Sequence, residues 1–425
     1  MLNRKNPPPR KYIQGIPYIK PKEANLDNGL RVYYLEGGTE DFVKVELIFF
    51  AGSYHQPKPL ISFSTANLLR TGSLSHSRRE INELLDFYSA HLQVEAFKDF
   101  VSVSIFVLNK HLEPALELLA ELVLRPTFPE DEMRSFLKNQ KQLHLINQKK
   151  VQHLARTYFS ELVYGEQHPY GYRVKPEDFD KPSRDDLAAF HRSWFCPCNA
   201  FCIVSGRIPE NLEALISGQL GGSGWQDSNK PQPPEYPMLS SGSRKAFLEM
   251  PEAVQSAIRI GKQLFNRTHP AYHRLKITNA LFGGYFGSRL MQNIRQEKGY
   301  TYGVFSNIVS LKRSGFFFIS TQVGADVRTP ALEEIYREIR ELRSRPASGT
   351  ELESLKNYLG GSFLRSFDGP FAQSERFREL LVFGLDYSHY DDYLETLRNI
   401  TPEIIMETAK DYLNEDGMME VVAGK

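Results

Sequence analysis

Two histidines four residues apart on a helix, with a carboxylate on the same face, can grip a metal ion and activate a bound water. His269 and His273 have that spacing, but Pro270 and Ala271 between them supply no acid. Neither H-x-x-E-H nor H-E-x-x-H occurs anywhere in the 425 residues. The pair therefore reads as the start of a helix rather than as metal ligands. Cys196, Cys198 and Cys202 cluster in CPCNAFC, yet no fourth ligand completes a structural zinc site. They run into the apolar stretch 200–204, so buried thiols on a strand are expected. Between Glu132 and Glu161 there is no acidic residue, while Lys138, Lys141, Lys149, Lys150 and Arg156 all fall in that window. A solvated basic helix face is the plain expectation. The alternative is the positive wall of a chamber that attracts acidic peptides.

The elements that would position these residues are legible by period. Residues 42–50 (FVKVELIFF) alternate and are β-branched, which predicts a strand, and residues 100–108 read likewise. Residues 112–123 carry the i, i+3, i+4 apolar spacing of a helix, with Pro114 tolerated in its first turn. Ser183 and Asp186 form a candidate capping motif, opening a helix whose apolar side includes Leu187, Phe190 and Trp194. Strands and helices follow one another without strict βαβ alternation. That favours an α+β fold of mostly antiparallel sheets, each with helices packed on one face.

The chain also repeats itself. Lys138 and Lys356, in SFLKN and SLKN, stand 218 residues apart, as do Gly206 and Gly424, in VSG and VAG. LVYG at 162–165 and LVFG at 381–384 are offset by 219, and PALE at 114–117 and 330–333 by 216. Four matches in one order at nearly one offset imply duplication of a whole domain. A Gly/Pro-rich stretch separates the copies. The expected domains are 1–222 and 240–425, joined by a linker at 223–239. A formal net charge of +1 gives no global pull toward nucleic acid or an anionic membrane. No apolar run approaches the length of a membrane-spanning helix. The N-terminal twenty residues are basic and proline-rich without an apolar core, so a short ordered arm and a cytoplasmic location are expected.

Several runs resemble the pitrilysin/insulinase family of zinc peptidases, in its processing-protease-like branch. They are Gly52-Ser53 through Gly72-Ser73, LRPTFP at 124–129, HPYG at 168–171 and the FCPCNA run at 195–200. In the second half they are FGG at 282–284, SRL at 288–290 and the run from Arg295 to Tyr302. The resemblance implies a duplicated peptidase fold. Active members carry H-x-x-E-H on a helix of the first domain and a third ligand, a Glu, on a later helix. Aligned back from Gly72, those positions hold Phe63, Ala66 and Asn67, and the third ligand falls near Leu143. None of them is a zinc ligand or a general base, so this chain is expected to bind no metal.

The family also carries an Arg and a Tyr seven residues later in the domain that faces the zinc. Arg295 and Tyr302 match that spacing. The implied roles are a guanidinium gripping a substrate carbonyl and a phenol donating to the developing oxyanion. Some family members are heterodimers in which one subunit brings zinc and the other brings this pair. The resemblance thus implies a non-catalytic partner subunit of a zinc endopeptidase, with a related H-x-x-E-H subunit and a peptide substrate as partners. Two copies of this chain alone would enclose no zinc site. The short segment Gly283-Gly284-Tyr285-Phe286-Gly287 lacks the long glycine-rich loop of the mitochondrial processing peptidase, which points to a bacterial-type subunit. The alternative is a structural or peptide-binding homologue with no proteolytic role. Arg289 is expected in a structural salt bridge.

Overall fold

A computed structural model describes residues 15–222, 224–225, 231–237 and 244–425. Most of the N-terminal arm and parts of the expected linker lie outside the described residues. The first sheet holds β1 (Lys22–Asn25), β2 (Arg31–Glu36), β3 (Phe42–Phe49), β4 (His91–Ala96), β5 (Val101–Leu108) and β6 (Ala200–Gly206). Their spatial order is β1-β2-β6-β3-β5-β4. The second sheet holds β7 (Lys245–Glu249), β8 (Gln255–Leu264), β9 (Val304–Leu311), β10 (Ser314–Gly324) and β11 (Met419–Gly424), ordered β7-β11-β8-β10-β9. In each sheet one pair is parallel, β2 with β6 and β7 with β11, and the rest are antiparallel. Without β1 the two sheets are the same sheet built twice. The repeated VSG and VAG tripeptides end the equivalent strands β6 and β11.

Helices of the first half are α1 (Ile61–Leu68), α2 (Arg78–Phe87), α3 (Leu112–Leu124), α4 (Glu130–Asn147), α5 (Val151–Tyr164), α6 (Arg184–Trp194) and α7 (Leu212–Leu220). Those of the second are α8 (Tyr272–Asn279), α9 (Arg328–Ser344), α10 (Gly349–Arg365), α11 (Gly369–Phe383), α12 (Ser388–Asn399) and α13 (Pro402–Tyr412). The period-2 residues Val43, Val45, Leu47 and Phe49 put one face of the first sheet against apolar residues of α1, α3, α6 and α7. The second sheet is covered on the equivalent face by α8, α9 and α13, through Leu275, Ile335 and Ile405 among others.

The opposite faces are covered by exchange. Phe377 and Leu380 of α11, from the second half, pack on Tyr33, Leu35, Ile48, Phe201 and Ile203 of the first sheet. Phe159 and Leu162 of α5, from the first half, pack with Ala257, Phe318, Val421 and Ala423 of the second. The repeats LVYG and LVFG are the ends of these two exchanged helices. Gly165 and Gly384 stop them at φ 86° and 69°, a region open to glycine and costly for other residues. Helices of its own half thus cover one face of each sheet, and a helix of the other half closes the second face.

One feature of the exchange is buried charge. Glu46 on β3 is 1% exposed. It accepts from Ser102 Oγ at 2.6 Å, pairs with Lys44 at 2.9 Å and receives Nη1 of Arg378 on α11. On β8 the equivalent position holds Arg259, since Glu46 pairs with Ile203 and Arg259 with Val421 in matching strands. Its guanidinium lies over Phe318 at 3.8 Å and Phe159 of α5 at 5.3 Å. The duplication has kept the helix-on-sheet contact and changed an ion pair into a cation–π contact.

The capping motif forms as expected. Ser183 Oγ accepts from Asp186 N, and the Asp186 carboxylate accepts from Ser183 N at 3.1 Å. Ser183→Ala should lower unfolding stability by about 1 kcal/mol in urea titration, with an unchanged m-value.

Candidate functional site

The position that would hold a metal is filled with hydrocarbon. Ala66 on α1 is fully buried in the core of the first half. Phe63, three residues earlier, stacks 5.6 Å from Phe136 of α4 and sits in an apolar cluster with Leu60, Leu137 and Phe179. Asn67 uses its side chain on its own helix, Nδ2 donating to the Phe63 carbonyl at 2.8 Å. Leu143 on α4 is half exposed. It and Phe63 line one cleft of about 860 Å³, bounded by α1, the end of β4, α4 and the first turns of α5. Among the described residues no group of three His, Cys, Asp or Glu side chains is placed to hold a metal.

The other sequence candidates for metal disperse. His269 stacks on Phe265 at 3.7 Å before α8, while His273 lies beside His389 at 4.4 Å. Burial, reinforced by His389, Lys276 and Arg267, pushes His273 down to about 3, so it is neutral near pH 7. All three cysteines are free thiols. Cys196 and Cys202 are buried and Cys198 is partly exposed. Burial raises the Cys202 thiol far above its usual range, which makes it unreactive.

Arg295 and Tyr302 stand elsewhere, on a well-anchored stretch. Arg295 belongs to a π-helical segment, Met291–Glu297, a rare geometry frequent at functional sites. Asn293 pins that segment to α9, its amide donating to Glu334 at 2.8 Å and Glu338 at 2.7 Å. Just ahead of it, Arg289 pairs with Glu351 at 3.0 Å and donates to the carbonyls of Arg345 and Pro346. The expected structural salt bridge is therefore present. A Cβ on Gly283 would meet Ser306 Oγ at 2.5 Å, so glycine permits the close approach of β9 to the preceding π-helical turn. The Arg295 guanidinium lies 4.8 Å above the exposed ring of Phe286. Tyr302, in the loop before β9, is 93% exposed.

Neither Arg295 nor Tyr302 lines the cleft at Phe63 and Leu143. A hydrogen-bond run connects the two places. Thr301 Oγ1 donates to the Gln322 carbonyl at 2.7 Å, and the Gln322 side chain accepts from Gln152 at the start of α5. The next residues on that helix, His153 and Arg156, line the cleft. The basic window therefore splits. Lys141 pairs with Asp180 at 2.6 Å beside Lys138, away from the cleft, and Lys149 and Lys150 are exposed. Of the five cations, Arg156 alone lines the cleft. Reading by sequence missed Lys58, Lys98, His144 and His153, which also line it. Two signals were present: His153 and Arg156 are three apart on one helix, and His144 adjoins Leu143.

The family model for insulinase (peptidase family M16) matches residues 31–171, and the model for the peptidase M16 inactive domain matches residues 181–359. The chain belongs to the pitrilysin/insulinase (M16) peptidase family. It is 22% identical over 407 residues to an uncharacterized zinc protease of Bacillus subtilis, YmxG, covering 95% of this chain and 98% of that one. It is 21% identical over 316 residues to the probable inactive metalloprotease YmfF of the same organism, covering 70% and 71%. A crystal structure described as a peptidase M16 inactive domain, from Pseudomonas fluorescens, superposes with a TM-score of 0.84 at 24% identity. That match covers 95% of this chain and 98% of the other. A Helicobacter pylori protease superposes with a TM-score of 0.86 at 18% identity, covering 96% and 100%. The duplicated M16 fold is shared with both. The zinc that the family implies does not fit here. Phe63, Ala66 and Leu143 offer no lone pair, and Asn67 is committed to its helix. This is an inactive M16 homologue.

Proposed function

We propose that this M16 chain is the non-catalytic subunit of a heterodimeric zinc endopeptidase. A related subunit carrying H-x-x-E-H would hold the zinc and the general base. Arg295 and Tyr302 would bind the substrate carbonyl and donate to the oxyanion across the subunit interface. One contrast carries the reading. The former metal position is packed with Phe63, Phe136 and Phe179, whereas Tyr302 stands 93% exposed, seven residues after a π-helical Arg295 whose segment is pinned. Simple decay predicts no such division. Phe286 under Arg295 and Phe305, three residues after Tyr302, are exposed as well, so the stretch presents apolar surface to solvent. The test is co-expression with a candidate zinc subunit, followed by hydrolysis of an unfolded peptide. Stimulation over the zinc subunit alone supports the proposal. Co-purification without stimulation instead favours a structural or peptide-binding homologue.

The zinc expected in this pair belongs to the partner. The purified chain should hold no zinc above background by mass spectrometry. A chelator should leave its Tm unchanged, because no described residue set would lose a ligand.

A further inference from the structure

The cleft at the lost metal position has a composition of its own. Among the described residues no Asp or Glu lines it. Lys58 is neutralised by Asp186 at 2.8 Å, beyond the lining. Lys98 donates to the Pro169 carbonyl at 3.0 Å, and Arg156 reaches His153 at 3.5 Å. Neither is ion-paired to a carboxylate among the described residues. His144 and His153 stand with ring centroids 6.2 Å apart between them and the apolar floor. Both imidazoles are held below their usual range, first by burial. His153 is lowered further by Arg156, His144 and Lys150, while Asp178 acts in the opposite sense on His144. The remaining walls mix aromatic rings, Phe97 and Tyr236 among them, with neutral amides such as Gln140 and Asn147. About 860 Å³ of such space suits a peptide segment better than a bare ion.

We propose that this cleft is a binding subsite for a carboxylate-bearing peptide segment flanked by apolar residues, with Arg156 and Lys98 as its anion partners. The inference rests on the reading of the chain as part of a peptide-handling chamber, and it names what that chamber prefers. The loss of zinc then has a positive side. The cleft keeps Arg156 and Lys98 over an apolar floor and has no lining carboxylate among the described residues. The carboxylate can come from an Asp or Glu side chain or from a peptide C-terminus. Neutralising two cations that form no carboxylate ion pair among the described residues stabilises the complex and speeds encounter, with Asp99 already offsetting part of the Lys98 charge, and salt weakens both effects.

The experiment uses the full chain alone and fluorescence anisotropy. The probe is a labelled peptide with a short Glu/Asp run between Leu and Phe, compared with its Gln/Asn counterpart, each as free acid and as C-terminal amide. At low salt the acidic peptide should bind about tenfold tighter than its neutral counterpart, and the gap should shrink as salt rises. Tight binding of the neutral peptide only as its free acid assigns the site to a C-terminus and keeps the proposal. The Arg156→Glu/Lys98→Glu variant should abolish the gap. The milder Arg156→Gln/Lys98→Met variant should reduce it, which covers any misfolding of the first, with Tm as the check. Lys138→Glu/Lys149→Glu makes the same change in net charge outside the cleft and should preserve the gap. No gap in either comparison, acidic against neutral or free acid against amide, or a gap that the cleft variants leave intact, overturns the proposal, as does equal loss in the Lys138/Lys149 control. A gap without stimulation of any zinc subunit keeps this inference and removes the heterodimer reading.

Discussion

Arg295→Ala, assayed in a reconstituted pair with a zinc-bearing subunit, lowers kcat for peptide hydrolysis by about 10²–10³-fold, and Tyr302→Phe does the same to within an order of magnitude. The magnitude is that of one preorganised donor removed from a developing oxyanion. The phenol is the cleaner probe. Tyr302 is 93% exposed and sits in a loop, so losing its hydroxyl should change unfolding stability by no more than about 0.5 kcal/mol. Arg295 rests on Phe286 and contributes a contact there, yet the segment beneath it is held by Asn293 and Arg289 rather than by Arg295 itself. Both variants should therefore co-purify with the partner and leave its zinc content intact. Steady-state kinetics with Tm and metal analysis separate the outcomes. Full turnover in both variants would sink the catalytic assignment. A loss of co-purification would make the pair interface residues instead.

Arg378→Met should destabilise the fold by about 3–5 kcal/mol, because it strands a carboxylate that is 1% exposed. Lys44 stays 2.9 Å from Glu46 and softens the loss toward the lower end. The double variant Glu46→Gln/Arg378→Met should recover part of it, since a neutral amide has less to lose on burial. The pH dependence has a definite sign. Burial alone would raise the Glu46 carboxyl, but Lys44, Arg378 and Ser102 outweigh it and hold it below the usual carboxylate value. A carboxyl depressed in the folded state contributes stability above its unfolded pKa and loses it as pH falls through the folded value. The unaltered chain should therefore lose part of its stability on the acid side of about pH 4.5, and Arg378→Met should flatten that slope. Urea titrations across this range measure both effects. An unchanged midpoint at neutral pH in Arg378→Met would show that α11 does not hold the first sheet through this pair.

The parts of the site legible in sequence were those that depend on residue type. The side chains of Phe63, Ala66 and Leu143 cannot ligate zinc whatever surrounds them, and a window without acids between Glu132 and Glu161 makes the loss of the third ligand insensitive to register. What replaces the metal was not legible. The aromatic plug draws on Phe63, Phe136 and Phe179, which only the packing of α1, α4 and the segment after α5 brings together. The basic window illustrates the same limit. Its lysines and arginine are equivalent in a list of charges, yet Lys141 finds Asp180 and Arg156 enters the cleft, because they project from two helices at different angles.

The fold divides in the same way. Period-2 and i, i+3, i+4 patterns, the capping pair at Ser183 and Asp186, and four repeats near one offset determined the elements and their duplication, because each is a local property of the chain. In the strand FVKVELIFF, Lys44 and Glu46 share a side with Phe42, Ile48 and Phe50, and alternation alone does not say whether that side meets water. Tertiary structure decided it. It placed α11 over that face and supplied the countercharge for Glu46 from Arg378, 332 residues away. Whether a strand's polar side meets solvent depends on what is packed against it, and a helix from the other half of the molecule lies beyond the reach of any local pattern.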